Sequence, residues 1–281
     1  MIIKMSVEQI SQQLLANVNR FSGMARCYDA NRPHPPTALL HVIGEFIHAS
    51  RPRLVVDLGS GTGLSTRFWA EHAEEVIGIE PNDDMLSWAR ERSDGYTNVS
   101  YRKGLADDTG LPDSCADIVM CAQSLHWMEP RSAMREVCRI LRRDGVFAFV
   151  HDCDLPTMNW QVVAALQEFR SRIANLIDIA EKEDPQQDTV VSWTKAQHLA
   201  YMQETKIFRV IKSCLLHSIE MGNAERLIGL QLSLGNTIRL LRRGFTEEEI
   251  GLEKLRVVAK QILGDEYSPW YFSFDTLLTV K

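Results

Sequence analysis

The sequence predicts an α/β protein in which parallel strands alternate with helices. Three observations carry the prediction. Leu54-Val-Val-Asp-Leu58 is a short apolar run that passes without a break into Gly59-Ser-Gly-Thr-Gly63 and then into a helix-like segment over 64–72. A second run, Glu75-Val-Ile-Gly-Ile-Glu80, follows at the spacing of a βαβ unit. Two more strand-like stretches, over 98–103 and 118–122, come at further intervals before the helix pattern at 130–143.

At 281 residues the chain has room for one large α/β domain or for a domain with a helical elaboration. A composition of 45% apolar and 24% charged residues is ordinary for a soluble globular protein. The net charge of −6 offers no field to attract nucleic acid or an anionic membrane. Of two basic clusters, Arg139-Ile-Leu-Arg-Arg143 suits a helix C-terminus, where cations complement the dipole; the other is Arg239-Leu-Leu-Arg-Arg243. No stretch approaches the roughly 20 apolar residues of a membrane span. The start, Met1-Ile-Ile-Lys-Met-Ser-Val-Glu8, turns polar too soon for a secretory signal. Six cysteines without Cys-x-x-Cys spacing indicate neither zinc nor a disulfide framework, so they read as reduced residues of a cytoplasmic protein.

Taken in order, the spacing predicts a short amphipathic helix over residues 5–20 with Val7, Ile10, Leu14 and Val18 on one face. Three prolines at 33, 35 and 36 stop any helix and favour extended chain before a helix over 37–50. The glycine loop after the first strand lets backbone approach a polar ligand at a helix N-terminus. A dinucleotide fingerprint would need a small third residue where Leu64 stands, so the loop points to a nucleoside cofactor without a pyrophosphate. Glu80 ends the second strand, where a carboxylate can accept both hydroxyls of a ribose through charge-assisted bonds. Asn82 caps the following helix, and Met85 either lies over an adenine or packs in the core. The fourth strand delivers Gln123-Ser-Leu-His-Trp127 to the ligand-binding edge of the sheet. A helix over 130–143, with Pro130 in its first turn, ends at Asp144-Gly145. The fifth strand, 146–150, brings His151 and Asp152 to the same edge, to meet substrate or to satisfy backbone groups.

Helices are expected over 158–181, 193–204, 223–241 and 247–263, with a polar loop around Pro185 and a capping box at Thr246-Glu-Glu-Glu249 opening the last. Residues 207–219, rich in aliphatic side chains, suit a sixth strand. Residues 269–280 alternate, with Trp270, Phe272, Phe274, Thr276, Leu278 and Val280 on one side of a half-buried strand.

Asp57-Leu-Gly-Ser-Gly-Thr-Gly63, with Glu80 closing the next strand, resembles the class I S-adenosylmethionine-dependent methyltransferases, over roughly residues 20–152 and again over the last strand. It is most similar to small-molecule methyltransferases with a His-Trp pair after the fourth strand. The resemblance implies a Rossmann-like, seven-stranded, mostly parallel sheet with an antiparallel last strand, helices on both faces and a helical cap. Residues 1–50 would cover the cofactor, 51–154 would form the binding core, and 155–281 would add cap helices and the last two strands. It also implies cofactor contacts at Asp57, Gly59, Ser60, Gly61, Gly63, Glu80, Pro81, Met85 and Gln123, with Ala106 and Asp107 at the adenine edge. Tyr28-Asp-Ala-Asn-Arg-Pro33 looks like the family's Tyr-x-x-x-Arg-Pro pattern, which would set Tyr28 by the methyl group and Arg32 on the cofactor's carboxylate. His126 is either a general base or part of the pocket floor. His34, Trp127 and His151 are the remaining candidates for contact with the acceptor.

The Asn/Asp-Pro-Pro-Tyr sequence of enzymes that methylate bases or glutamine is absent, which argues against those targets. The absence of a clustered aspartate or histidine set argues against a metal. The leading expectation is a methyltransferase that uses S-adenosyl-L-methionine, releases S-adenosyl-L-homocysteine and acts on a small molecule, as a monomer or homodimer. A nucleoside-binding regulatory protein is the alternative. An aminopropyltransferase is a third reading, opposed by Arg32, since the decarboxylated cofactor has no carboxylate to clamp.

Overall fold

Leu54–Leu58 (β1) is buried along its whole length and pairs in parallel with Glu75–Glu80 (β2) on one side and Ala116–Ala122 (β4) on the other. Val99–Lys103 (β3) extends the sheet beyond β2, and Leu141–Thr157 (β5) extends it beyond β4, both in parallel. Among the described residues, Val210–Gly222 (β6) and Ser268–Val280 (β7) complete seven strands in the order β3-β2-β1-β4-β5-β7-β6. β7 runs antiparallel to both its neighbours. The computed structural model describes residues 12–183 and 191–281. Val7, Ile10 and the expected loop around Pro185 lie outside the described residues.

Helices cover both faces of the sheet. Ala38–Ile47 (α3), Trp160–Glu183 (α7), Ala224–Leu232 (α9), Gly235–Arg242 (α10) and Leu252–Ile262 (α11) contribute to one apolar cluster, where Leu39, Ile43, Leu166, Leu227, Leu240 and Leu255 meet Val55, Ile118, Val150 and Trp270. Pro130–Ile140 (α6) and Lys195–Thr205 (α8) pack on the other face, where Met134, Val137 and Met202 meet Val56, Val119 and Phe147. Gln12–Asn19 (α1), Ala25–Asn31 (α2), Leu64–Phe68 (α4) and Asp83–Arg92 (α5) stand near the carboxyl ends of β1 and β2. Among the described residues no helix is long and apolar enough to cross a membrane.

Several boundaries differ from expectation for identifiable reasons. The helix expected over 130–143 stops at Ile140, because Leu141 already pairs with Ala116 as the start of β5. Asp144-Gly145 is therefore a kink inside a strand, with Asp144 at φ 63, and not a helix terminus. β5 outlasts the expected 146–150 because β7 keeps pairing with it as far as Thr157. The helix expected over 223–241 is two helices, broken at Ser233, whose hydroxyl donates to the Leu230 carbonyl at 2.7 Å. The Thr246–Glu249 box forms its reciprocal bonds, 2.8 and 3.2 Å. It closes only one turn, however, because Gly251 at φ 82 interrupts the chain and α11 starts at Leu252.

Candidate functional site

β1, β2 and β4 deliver their carboxyl ends to a cavity of about 1480 Å³, its open mouth included. The turn after β1 shapes the floor. Gly61 has φ 55 and faces open space, so a backbone surface without a side chain meets the cavity there. Its N–H donates to Oε2 of Glu80 at 2.9 Å, while the Asn82 N–H donates to Oε1 at 2.9 Å. Two backbone donors thus orient the carboxylate on the cavity wall. Burial outweighs those donors and pushes the Glu80 carboxyl up to about 7.

Gly63 opens α4 at φ 83, and a Cβ there would stand 2.2 Å from the Tyr101 hydroxyl. It therefore shapes the turn from behind and does not line the cavity. The same holds for Asp57, which is fully buried. Its Oδ2 accepts the hydroxyls of Ser65 (2.6 Å) and Thr66 (2.7 Å), tying the first turn of α4 to the end of β1. Burial raises this carboxyl to about 6, against the pull of the two hydroxyls. Gly59, Ser60, Pro81, Met85, Ala106, Asp107 and Gln123 all line the cavity. Gln123 does so at φ 60, in the left-handed region uncommon for a residue with a side chain, with its N–H bound to the Val150 carbonyl at 2.9 Å. Asn82 caps α5 by accepting the Met85 N–H at 3.0 Å.

The cover of the cavity comes from the N-terminal segment. Asn17, Val18, Phe21, Tyr28, Arg32, Pro33 and Pro35 line it. The Asn82 side chain holds this cover by donating to the Val18 carbonyl (2.7 Å) and the Ser22 hydroxyl (2.8 Å). Among the described lining residues none belongs to α7–α11, the helices expected to form the cap. Instead α9 and α10 brace the cover from outside. Arg242 donates to the carbonyls of Arg20 (2.9 Å) and Ser22 (2.5 Å), and a Cβ on Gly229 would clash with Asn31. The Arg32 guanidinium lies 4.9 Å from the Tyr28 ring centroid and 3.8 Å from Asp152, and it donates to the Ser233 carbonyl at 3.4 Å. Burial raises the Tyr28 hydroxyl above its usual range.

Trp127 lines the cavity and stacks edge-on with Phe21, their centroids 6.3 Å apart, under the Arg20 guanidinium at 4.8 Å. His126 and His151 do not line it. His126 packs against Trp127 at 4.3 Å and meets His151 edge to face at 5.7 Å. Burial and the nearby His151, Arg20 and Arg32 push the His126 imidazolium down to about 3. His34 is turned outward into a separate groove with Thr37, His217 and Tyr271.

Sequence reasoning did not single out Asn17, Ser124, Met128, Glu129, Ser132 or Phe274 for the site, all of which line the cavity. Ser124 is the most informative of them, because its hydroxyl donates to the Leu58 carbonyl at 2.6 Å and joins the ends of β4 and β1. Its position directly after Gln123 at a strand end was the available signal. Phe274 carried only an alternation pattern, which reports burial and not proximity to a ligand.

Residues 56–149 match the family model of a methyltransferase domain. An uncharacterised methyltransferase-like protein of Schizosaccharomyces pombe is 32% identical over 134 residues, 47% of this chain and 51% of that protein. An uncharacterised methyltransferase of Mycobacterium tuberculosis is 25% identical over 225 residues, covering 77% and 88%. The chain thus spans about half the length of the first relative and most of the second. A solved structure of a candidate type II methyltransferase from Anaeromyxobacter dehalogenans shares the fold, with a TM-score of 0.64 at 22% identity over 89% of this chain and 97% of that one. The glycine loop and the acidic strand end both stand inside the matched residues, so the chain carries a methyltransferase domain over residues 56–149.

Proposed function

We propose that this protein transfers the methyl group of S-adenosyl-L-methionine to a small-molecule acceptor in the cavity beneath residues 12–36. The observation that carries the reading is Glu80, fixed by two backbone N–H groups on the cavity wall beside the open turn at Gly61. The residues present fit the cofactor. The ionised Glu80 carboxylate keeps lone pairs for the ribose hydroxyls, and Asp107, Ala106 and Met85 suit the adenine. Arg32 suits the carboxylate of the amino-acid end. When bound, the cofactor supplies an electrophilic methyl group on a sulfonium.

The chain's own work is then orientation and exclusion of water. Holding donor and acceptor in line is worth about 7–11 kcal/mol in favourable cases. Tyr28, Phe21, Trp127, Val150 and Phe274 form an apolar, aromatic wall around the space left for the acceptor. His126, held near 3 and packed against Trp127, is a weak base at neutral pH. That favours an acceptor atom that brings its own lone pair or anion over one that must lose a proton to the protein. Acceptor selection would then fall to Phe21 and Tyr28 of the N-terminal cover together with Trp127, Val150 and Phe274.

Calorimetric titration with S-adenosylmethionine, S-adenosylhomocysteine and NAD tests the reading. Both sulfur nucleosides are expected to bind and NAD is not. Glu80→Ala is expected to lose roughly 1.5–3 kcal/mol of nucleoside affinity, the range for hydrogen bonds to a charged group. A folded wild-type protein that binds neither sulfur nucleoside would overturn the proposal.

A further inference from the structure

Arg32 leaves α2 in extended conformation, at φ −69 and ψ 146, and the chain continues as Pro33-His34-Pro35-Pro36. Proline has no N–H, so His34 carries the one backbone donor in those four residues. That donor goes to Oε1 of Glu220 at 2.8 Å, 186 positions along the chain. Arg32, Pro33 and Pro35 line the cavity, so this backbone bond, with the His34 imidazole 3.7 Å from the same oxygen, ties the wall to β6.

Glu220 is itself held in place. It forms an ion pair with Arg226, and only 16% of its side chain is exposed. Arg226 in turn donates to the Met221 carbonyl at 2.6 Å and lies 5.8 Å from the ring centroids of both Trp270 and Phe272. Arg32 is anchored far less firmly by its own side chain. Among the described residues its side chain makes one hydrogen bond, 3.4 Å long, with Asp152 3.8 Å away and the Tyr28 ring centroid 4.9 Å away, and its Nε is shielded without a partner. Where its guanidinium stands is therefore set largely by its backbone and by the strap that follows.

We propose that Glu220 is a positioning residue. Through the His34 N–H it fixes the strap after α2, and so sets how firmly Arg32 holds the carboxylate at the amino-acid end of the cofactor. The inference rests on the reading of Arg32 given above.

The test compares two ligands on the full chain by calorimetry. S-adenosylhomocysteine carries the amino-acid carboxylate, whereas 5′-methylthioadenosine keeps the nucleoside and thioether without it. Arg32→Ala is expected to weaken S-adenosylhomocysteine about 10- to 100-fold, the scale of a charge-assisted bond, with 5′-methylthioadenosine unchanged. Glu220→Ala is expected to follow the same pattern with a loss of about tenfold. Glu220→Gln, whose amide oxygen still accepts the His34 N–H, should fall between Glu220→Ala and wild type. Binding of 5′-methylthioadenosine doubles as the control for folding. Equal losses for both ligands in Glu220→Gln would make Glu220 a general structural residue and overturn the proposal. So would wild-type affinities in Glu220→Ala beside a selective loss in Arg32→Ala. If Arg32→Ala itself binds both ligands as wild type does, the clamp reading fails and this inference with it.

Discussion

Glu80 and Asp57 are two buried carboxylates within one βαβ unit, and neither has a cationic partner among the causes that set its titration. Both are raised by burial, to about 7 and about 6. An acid whose folded pKa exceeds its unfolded value holds its proton longer in the folded state. Stability is then greatest below the unfolded value and falls as pH rises toward the folded one. Tm is accordingly expected to decline between about pH 4.5 and pH 7 through these groups, and the decline to flatten in Glu80→Gln; scanning calorimetry across that range measures it. Nucleoside affinity should run the other way, rising through pH 7 as Glu80 becomes an acceptor for ribose hydroxyls, with no such rise in Glu80→Gln. Their placement at strand ends beside a glycine turn was legible because the arrangement is local, but the task of Asp57 was not: expected at the cofactor, it ties α4 to β1 instead. Glu220 was not legible either, since its partner at His34 lies 186 positions away and no local pattern marks it.

At the scale of elements, α5 does two tasks through one residue. Asn82 accepts the Met85 N–H as a cap and donates to Val18 and Ser22 of the cover. Asparagine is suited to this because its amide offers an acceptor and two donors together. Asn82→Asp should keep the cap and lose the donors, so global stability is largely retained while residues 12–23 become more accessible to limited proteolysis. Asn82→Ala should lose both, at a cost of about 1 kcal/mol for the missing cap. Urea unfolding and a protease time course separate the two outcomes. The sequence identified Asn82 as a cap, since that role is set within three residues. Its second role depends on where α1 lies, which a helical pattern alone does not specify. The split between α9 and α10 was equally illegible, because Ser233 and Gly235 are tolerated in helices and the Ser233–Leu230 bond at the break has no distinctive sequence pattern.

For the whole molecule, the cavity is closed by a segment from one end of the chain and braced by helices from the other. Arg242 of α10 makes the link, through the carbonyls of Arg20 and Ser22. Arg242→Ala is expected to speed amide exchange over residues 12–23 and to lower S-adenosylhomocysteine affinity, while global stability changes by less than about 1 kcal/mol. Hydrogen exchange with mass spectrometry, beside a denaturant melt, checks both halves. The sheet and its alternating helices were readable from apolar periodicity, and the family resemblance implied a cover from residues 1–50, but that the later helices stand outside the lining was not readable. Amphipathic helices of either end would satisfy the same pattern, and contacts across the full length of the chain chose between them.

The strand order carries a consequence for how the protein is made. β7 lies between β5 and β6, so β6 has no partner until β7 exists. A ribosome delivers residues 210–222 well before residues 268–280, and through that interval a strand containing Ile211, Leu215, Leu216 and Ile219 has no edge to join. Late, non-local pairing of this kind is slow and leaves apolar backbone exposed while it waits. The nascent chain is most vulnerable to misassociation in that window, after β1–β5 have emerged and before β7 arrives to zip the sheet shut.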